Sequence, residues 1–391
     1  AGLKNANAAA ASDDTVRNLM SAILNTGGAA ATKMAEQVQG SPAGLSATSG
    51  AATASAGAAV ISVGSSRMAA LRSGNAYAST LGTGFNAGSG ARSNNAYAST
   101  LGTGFSAGSG AKSNSMWMKP FASFGDQGTR TGVSGYEADT YGLAIGADTR
   151  VNAHSIVGLS FSYADTDVDG KGAGRSHSDI SSYQITAYAD YTESDWYVEG
   201  LVGYAYNKLD TTRDIAVTSV RAIGDTSSNQ YMFGLSGGMP LKAGENSYFT
   251  PSAGLNITIV NNQEYTETGA GVLNLKVSPE NITIAKMHVG GRYHATIKDS
   301  DGIFVPELRA KLLYDIAGDD GSSSNTFTGG GAAFQVNGQD VEEFSTSVGA
   351  GFAYTPNSNQ REGMSLSVNY DAEFKEDFTG HSANFNFSYA F

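Results

Sequence analysis

Cysteine is absent from the 391 residues, which removes disulfides and thiolate chemistry from consideration. No run of about 18 apolar residues occurs, so the chain holds no candidate membrane-spanning helix. Ala1 is not followed by a charged start and an apolar core, and no signal peptide is read there. Proline is scarce, with 7 residues against 50 glycines, and tryptophan contributes 2 residues against 19 Tyr and 17 Phe. Basic residues are outnumbered: 24 Lys and Arg stand against 36 Asp and Glu, a net charge of −12. The imbalance is local, because residues 1–112 carry seven basic and three acidic side chains whereas 113–391 carry 17 and 33. Such an acidic body excludes nucleic acid as a partner, since that contact depends on cations meeting phosphates.

What is present is most informative at the C-terminus. Ala383, Phe385, Phe387, Tyr389 and Phe391 alternate with Asn384, Asn386 and Ser388, the period of a strand with one apolar and one polar face. A strand that runs to the last residue would leave a soluble protein with an aggregating edge. A closed barrel in a bacterial outer membrane abolishes the edge and turns the aromatics to lipid.

The same alternation recurs from Met116 onward. After the segment at Met116–Phe124, Tyr141, Leu143 and Ile145 make one apolar face; Val157, Leu159 and Phe161 make the next; nine further segments follow, ending at Phe391. The pattern predicts an all-β transmembrane barrel of 12 antiparallel strands over 113–391, an even number as single-chain bacterial barrels require. The opposite faces carry Asp190, Glu199, Lys286, His288, Arg292, His294, Glu307, Arg309, Lys311, Asn369 and Asp371. So many charges would be costly in a dry core but suit a hydrated lumen. They either hold a segment inside the pore or pair across the wall. Short turns, such as 152–155 and 193–195, alternate with polar stretches near 126–139, 165–180, 208–228, 262–280, 315–342 and 374–379, which read as loops. Short turns face the periplasm and long loops the exterior, so both barrel termini are expected on the periplasmic side.

Ahead of the barrel, residues 1–50 are rich in Ala and Gly. Asp14 opens a helical pattern through Val16, Leu19, Met20 and Ile23 that Gly27 closes, and a second helix covers about 29–38. Residues 51–72 predict a third helix with Arg67 and Arg72 near its C-terminus, where cations complement the dipole. Its length matches the hydrocarbon thickness, yet Ala, Ser and Gly dominate it. It is either a slim helix threaded through a polar pore or a linker. Residues 73–112 are two copies of one 20-residue unit with 17 positions identical, a duplicated Gly/Ser-rich spacer too short for a solenoid.

The stretch MWMKPFASFGDQGTRTGVSGYEADTYGLAIGADTRV, residues 116–151, together with the Tyr389 and Phe391 ending, resembles the translocator β-domain of monomeric (type Va) autotransporters. The resemblance covers about 113–391, with 40–72 similar to that family's linker helix. It implies an outer-membrane barrel that exports its own N-terminal passenger without ATP and keeps the linker in the pore. It also implies that the barrel assembly machinery reads the C-terminal strand, here Phe385, Phe387, Tyr389 and Phe391, and that one copy suffices as a monomer. Residues 1–50 would then be the remnant of the passenger junction. Some relatives cleave themselves at an asparagine in the pore, but no matching motif surrounds Asn5, Asn7 or Asn25. An outer-membrane porin or a loop-based surface adhesin barrel is the alternative, and the N-terminal segment favours the translocator.

No catalytic residues, cofactor or metal are assigned. Asp165, Asp167 and Asp169 begin a calcium-loop pattern, but Ser176 stands where a glutamate is needed. His288 and His294 lie about 20 Å apart along a strand, too far for one ion. Gly102 and Gly104 lack the lysine of a phosphate loop, and no Ser–His–Asp motif is visible.

Overall fold

A computed structural model describes residues 14–40, 64–72 and 114–391, apart from 131–132, 174–175, 319–320, 339–341 and 358–362. Twelve long strands run in chain order: β1 Asn114–Gln127, β2 Tyr136–Arg150, β3 Ser155–Gly170, β4 Ser176–Thr192, β5 Tyr197–Ile215 and β6 Val220–Gly238. They continue as β7 Ser247–Asn262, β8 Ile282–Ala295, β9 Gly302–Gly318, β10 Phe344–Pro356, β11 Met364–Lys375 and β12 Phe378–Ala390. Each pairs antiparallel with its neighbours, and β12 pairs with β1, which closes the barrel. The closing seam is in register from Ser115↔Ala390 to Gln127↔Phe378. Beyond it the Phe391 N–H donates to the Asn114 carbonyl at 2.9 Å, so the barrel leaves no free edge.

Side chains of alternate residues point to lipid and to the lumen. Leu143, Ile145, Leu159, Phe161, Ile185, Val202, Phe233, Leu235, Val289, Leu308 and Leu312 are all exposed outward, an apolar surface that only lipid can cover. Tyr141, Tyr183, Tyr206, Tyr231 and Tyr314 border it at one end and Tyr191, Trp196, Phe249 and Tyr389 at the other, the positions of interfacial aromatic girdles. Phe385 and Phe391 are exposed on the same outer surface, and the Phe391 ring stacks on Tyr389 with centroids 6.3 Å apart.

Several stretches read as loops are ordered. Residues 165–180 and 208–228 are not loops: β3–β4 and β5–β6 continue as hairpins, and β5 and β6 are each 19 residues long. About 10 residues suffice to cross the bilayer, so these hairpins project beyond it. Their many polar side chains on both faces hide the alternation; Val168, Ile180 and Leu209, buried with Ala138, mark the inner side. The stretch 374–379 shrinks to a tight turn with Asp377 at a positive φ of 55°. Within 262–280 and 315–342, Tyr265–Thr266, Leu275–Pro279, Ser323–Phe327 and Phe334–Val336 form a separate four-stranded sheet over the loop end.

Two helices, α1 (Asp14–Thr26) and α2 (Gly28–Gln39), pack on that outer sheet. A third, α3 (64–72), lies inside the barrel near the turn end. Of the helix expected over 51–72, residues 51–63 lie outside the described residues, as does the duplicated spacer at 73–112.

Candidate functional site in the lumen

Spacing along α3 places Arg67 and Leu71, then Met68 and Arg72, one turn apart. All four side chains are buried. Arg67 meets Asp148 of β2 through two nitrogens, Nε to Oδ2 at 2.7 Å and Nη2 to Oδ1 at 3.0 Å, and Nη2 also donates to Ser115 Oγ. Arg72 pairs with Asp190 of β4 and with Glu199 of β5, the latter at 2.6 Å. Its guanidinium lies 3.6 Å from the centre of the Tyr197 ring. Ser66 Oγ accepts from Lys119 Nζ at 2.6 Å. Two arginines thus meet three carboxylates that the wall presents from separate strands.

The carboxylates are themselves positioned. Tyr188 OH donates to Asp148 at 3.0 Å and accepts from Trp117 Nε1 at 2.8 Å. Thr192 donates to Asp190 and Ser236 to Glu199, each at 2.7 Å. Met68 packs into a cluster with Trp117, Phe121, Tyr188, Leu201 and Met232, while Leu71 meets Ile156 and Ala390. The rings leave room for α3 because they lie flat on glycines of a neighbouring strand. A Cβ at Gly146 would overlap the Trp117 indole, and one at Gly158 would overlap the Tyr188 ring.

Of the inner-face residues named from the sequence, the eight acidic and basic ones fall into two groups. Asp190 and Glu199 hold α3. Arg292 pairs with Glu307 at 3.0 Å, Arg309 with Glu307 and with Asp371 at 3.0 Å, and Lys286 with Glu373 at 2.9 Å. These pairs and Lys311 line a cavity of about 420 Å³ beside the helix. The lumen is therefore partly filled by α3 and partly open along a charged wall. Asp148, Ser115 and Lys119 escaped the sequence reading. Asp148 shares the inward parity of Ala144 in β2, and that parity was the available signal.

Outside the apolar belt, aspartates face one another across five strands in a single row: Asp139↔Asp167↔Asp179↔Asp210↔Asp225. Like charges directly opposite are destabilising. Hydrogen bonding and repulsion from Asp179 raise the Asp167 carboxyl above its ordinary pKa, as Asp225 does for Asp210. Asp165, Asp167 and Asp169 lie along an extended strand, so they cannot curl round one ion as a calcium loop does. His177 bridges Asp169 at 2.9 Å and Asp179 at 3.1 Å. Partial burial opposes its charge, but these carboxylates outweigh burial and raise its pKa. A raised folded-state pKa adds stability below the unfolded value of about 6.5, and the contribution is lost as pH rises through the folded value. The β3–β4 tip should therefore exchange its amides faster at pH 8 than at pH 6, after correction for intrinsic rates. Unchanged protection at residues 166–170 would remove this role from His177.

A closed twelve-stranded outer-membrane barrel with a helix salt-bridged into its lumen is the class these features define. The sequence matches the family described as Autotransporter beta-domain over residues 116–371; the chain belongs to that family. It is 27% identical over 208 residues to outer membrane protein A of Rickettsia conorii, covering 51% of this chain and 10% of that relative. The chain thus spans about a tenth of the length of such relatives. The fold is similar to the translocator domain of the autotransporter NalP from Neisseria meningitidis, with a TM-score of 0.55, 14% identity, and coverage of 71% of this chain and 89% of that one. It is also similar to the β-domain of the Bordetella autotransporter BrkA, with a TM-score of 0.54, 15% identity, and coverage of 71% and 100%.

Proposed function

We propose that this barrel translocates the polypeptide ahead of it to the cell surface and retains α3 in the lumen afterwards. The observation that supports this most is the placement of one chain at both mouths of the barrel: α1 and α2 at the loop end, α3 at the turn end. In this reading the short turns face the periplasm and the projecting hairpins and outer sheet face the exterior. Asp190 and Glu199 anchor α3, and the wall of Lys286, Arg292, Glu307, Arg309, Lys311 and Asp371 keeps the rest of the lumen wet for an extended chain in transit. Phe385, Phe387, Tyr389 and Phe391 present an aromatic outer stripe at the seam that an insertion machinery can recognise. One copy supplies all twelve strands, so the working unit is a monomer. A partly occupied lumen sets the protein apart from an open porin.

Because these 391 residues hold no cysteine, a single introduced thiol in this chain reports on one position. Asn25→Cys, exposed in the last turn of α1, is expected to react with a membrane-impermeant maleimide in intact bacteria. A cysteine in the turn 243–246 should react only after permeabilisation. Asn25→Cys that reacts solely in permeabilised cells would refute export.

A further inference from the structure

The inner wall of the barrel is of two kinds. From β8 to β11 it carries the charged pairs described above. On β3 to β6 two adjacent rows carry no charge: Ala164↔Ser182↔Asn207↔Ser228 and Ser162↔Gln184↔Ala205↔Gln230. All eight side chains are buried, whereas Tyr183, Tyr206 and Tyr231 beside them are exposed on the outer surface, so the rows face the lumen. Ala205 belongs to the cluster around Met68 of α3. Leu209, two residues past Asn207, belongs to the rim cluster with Ile180. The strip thus lies on the way from α3 to the loop end.

Hydrogen bonding in the strip is incomplete. Asn207 Nδ2 donates to Ser228 Oγ at 3.1 Å, and Gln184 Nε2 to Thr186 Oγ1 at 2.9 Å. Asn207 Oδ1, Gln230 Nε2 and Ser182 Oγ are buried and have no partner among the described residues. Asn207 is 0% exposed and Gln230 1%. Leaving buried polar atoms unpaired is costly, so three of them on consecutive strands mark a place built for a ligand that pairs them. The set defines that ligand. One atom accepts, one donates and the hydroxyl does either, which is the complement of a peptide unit with its N–H and C=O.

The lack of charge fits the same ligand. Side chains of an exported chain differ from residue to residue but its backbone does not, so groups that bond the backbone alone accept any sequence. A neutral hydrogen bond gives a small net gain, enough to align a moving chain and too little to stop it. Carboxylates in the same rows would grip basic side chains, as Asp190 and Glu199 grip Arg72.

We propose that this neutral strip is the track for an extended polypeptide in transit, with Ser182, Asn207 and Gln230 as positioning residues that hydrogen-bond its backbone. This rests on the export reading and names the chemistry by which the lumen meets its cargo.

The test uses the full chain carrying Asn25→Cys, with two separate pairs of changes. Ser182→Ala with Gln230→Met removes two of the unpaired groups. Asn207→Leu with Ser228→Ala removes the third together with its hydrogen-bonded neighbour. Replacing such groups by apolar ones of similar shape is neutral to stabilising, so the folded band on gels should persist to the parental temperature or above. The introduced thiol, by contrast, should become reactive in intact cells roughly tenfold more slowly after a synthesis pulse, as the loss of one or two hydrogen bonds implies. An unchanged rate would mean that water alone serves these groups and would overturn the track. A slower rate with a lowered unfolding temperature would make the residues structural and overturn it equally. A parent chain whose thiol never reacts in intact cells would instead take down the export reading beneath it.

Discussion

Replacing Arg67 and Arg72 together by Met is expected to release α3 and raise the conductance of a barrel whose lumen that helix partly fills. Methionine keeps much of the apolar stem, so the change isolates the charge. Asp148, Asp190 and Glu199 would remain buried without a counter-ion, and breaking one buried pair costs about 3–5 kcal/mol. With these pairs lost, the described part of the helix keeps the Ser66–Lys119 hydrogen bond and the apolar contacts of Met68 and Leu71. The occupied state would fall by a factor of about 100 or more per pair. Single-channel recordings in planar bilayers decide the matter, with a chain lacking residues 1–113 as the open standard. A double variant that stays as closed as the parent would show that the buried pairs do not retain the helix.

Filling the glycine seats should evict the same helix without touching a charge. Gly146→Leu with Gly158→Leu drives side chains into space that the Trp117 and Tyr188 rings occupy. Ring atoms cannot retreat into the wall, so they move into the lumen and collide with Met68. Overpacking costs about 1–3 kcal/mol per site. Losing the Tyr188 hydrogen bonds to Asp148 and Trp117 adds about 1–3 kcal/mol for the buried groups left unpaired. The barrel should therefore unfold several degrees lower by circular dichroism and conduct more than the parent. A double variant with parental melting and parental closure would mean the rings have another place to go.

The barrel was legible because lipid demands it. Every outward face in the belt must be apolar, and strict alternation survives in the sequence from Leu143 to Phe391. The charged inner wall was legible by the same parity. What stayed hidden is what lipid does not constrain. Beyond the belt, Asp165, Thr166 and Asp167 are polar on both sides, so the projecting hairpins carry no periodic signature and read as loops. The division of the wall also stayed hidden. Glu199 and Glu307 look alike in sequence, yet the first grips Arg72 while the second pairs with Arg292 and Arg309. The apolar stripe of α1 was visible, but its cover was not, because Arg213 and Val38 are 175 positions apart and no local pattern links them.

The seam between β1 and β12 has a consequence for the order of events in the cell. A first strand whose permanent partner is the twelfth waits, unpaired with it, until that partner has been made. No closed lumen exists before that moment, although residues 14–72 left the ribosome ahead of every strand. Whatever precedes the barrel and is to pass through it must still be unfolded when its own gate is finished. The closed ring thus acts as a clock as well as a wall, and it fixes assembly before transit.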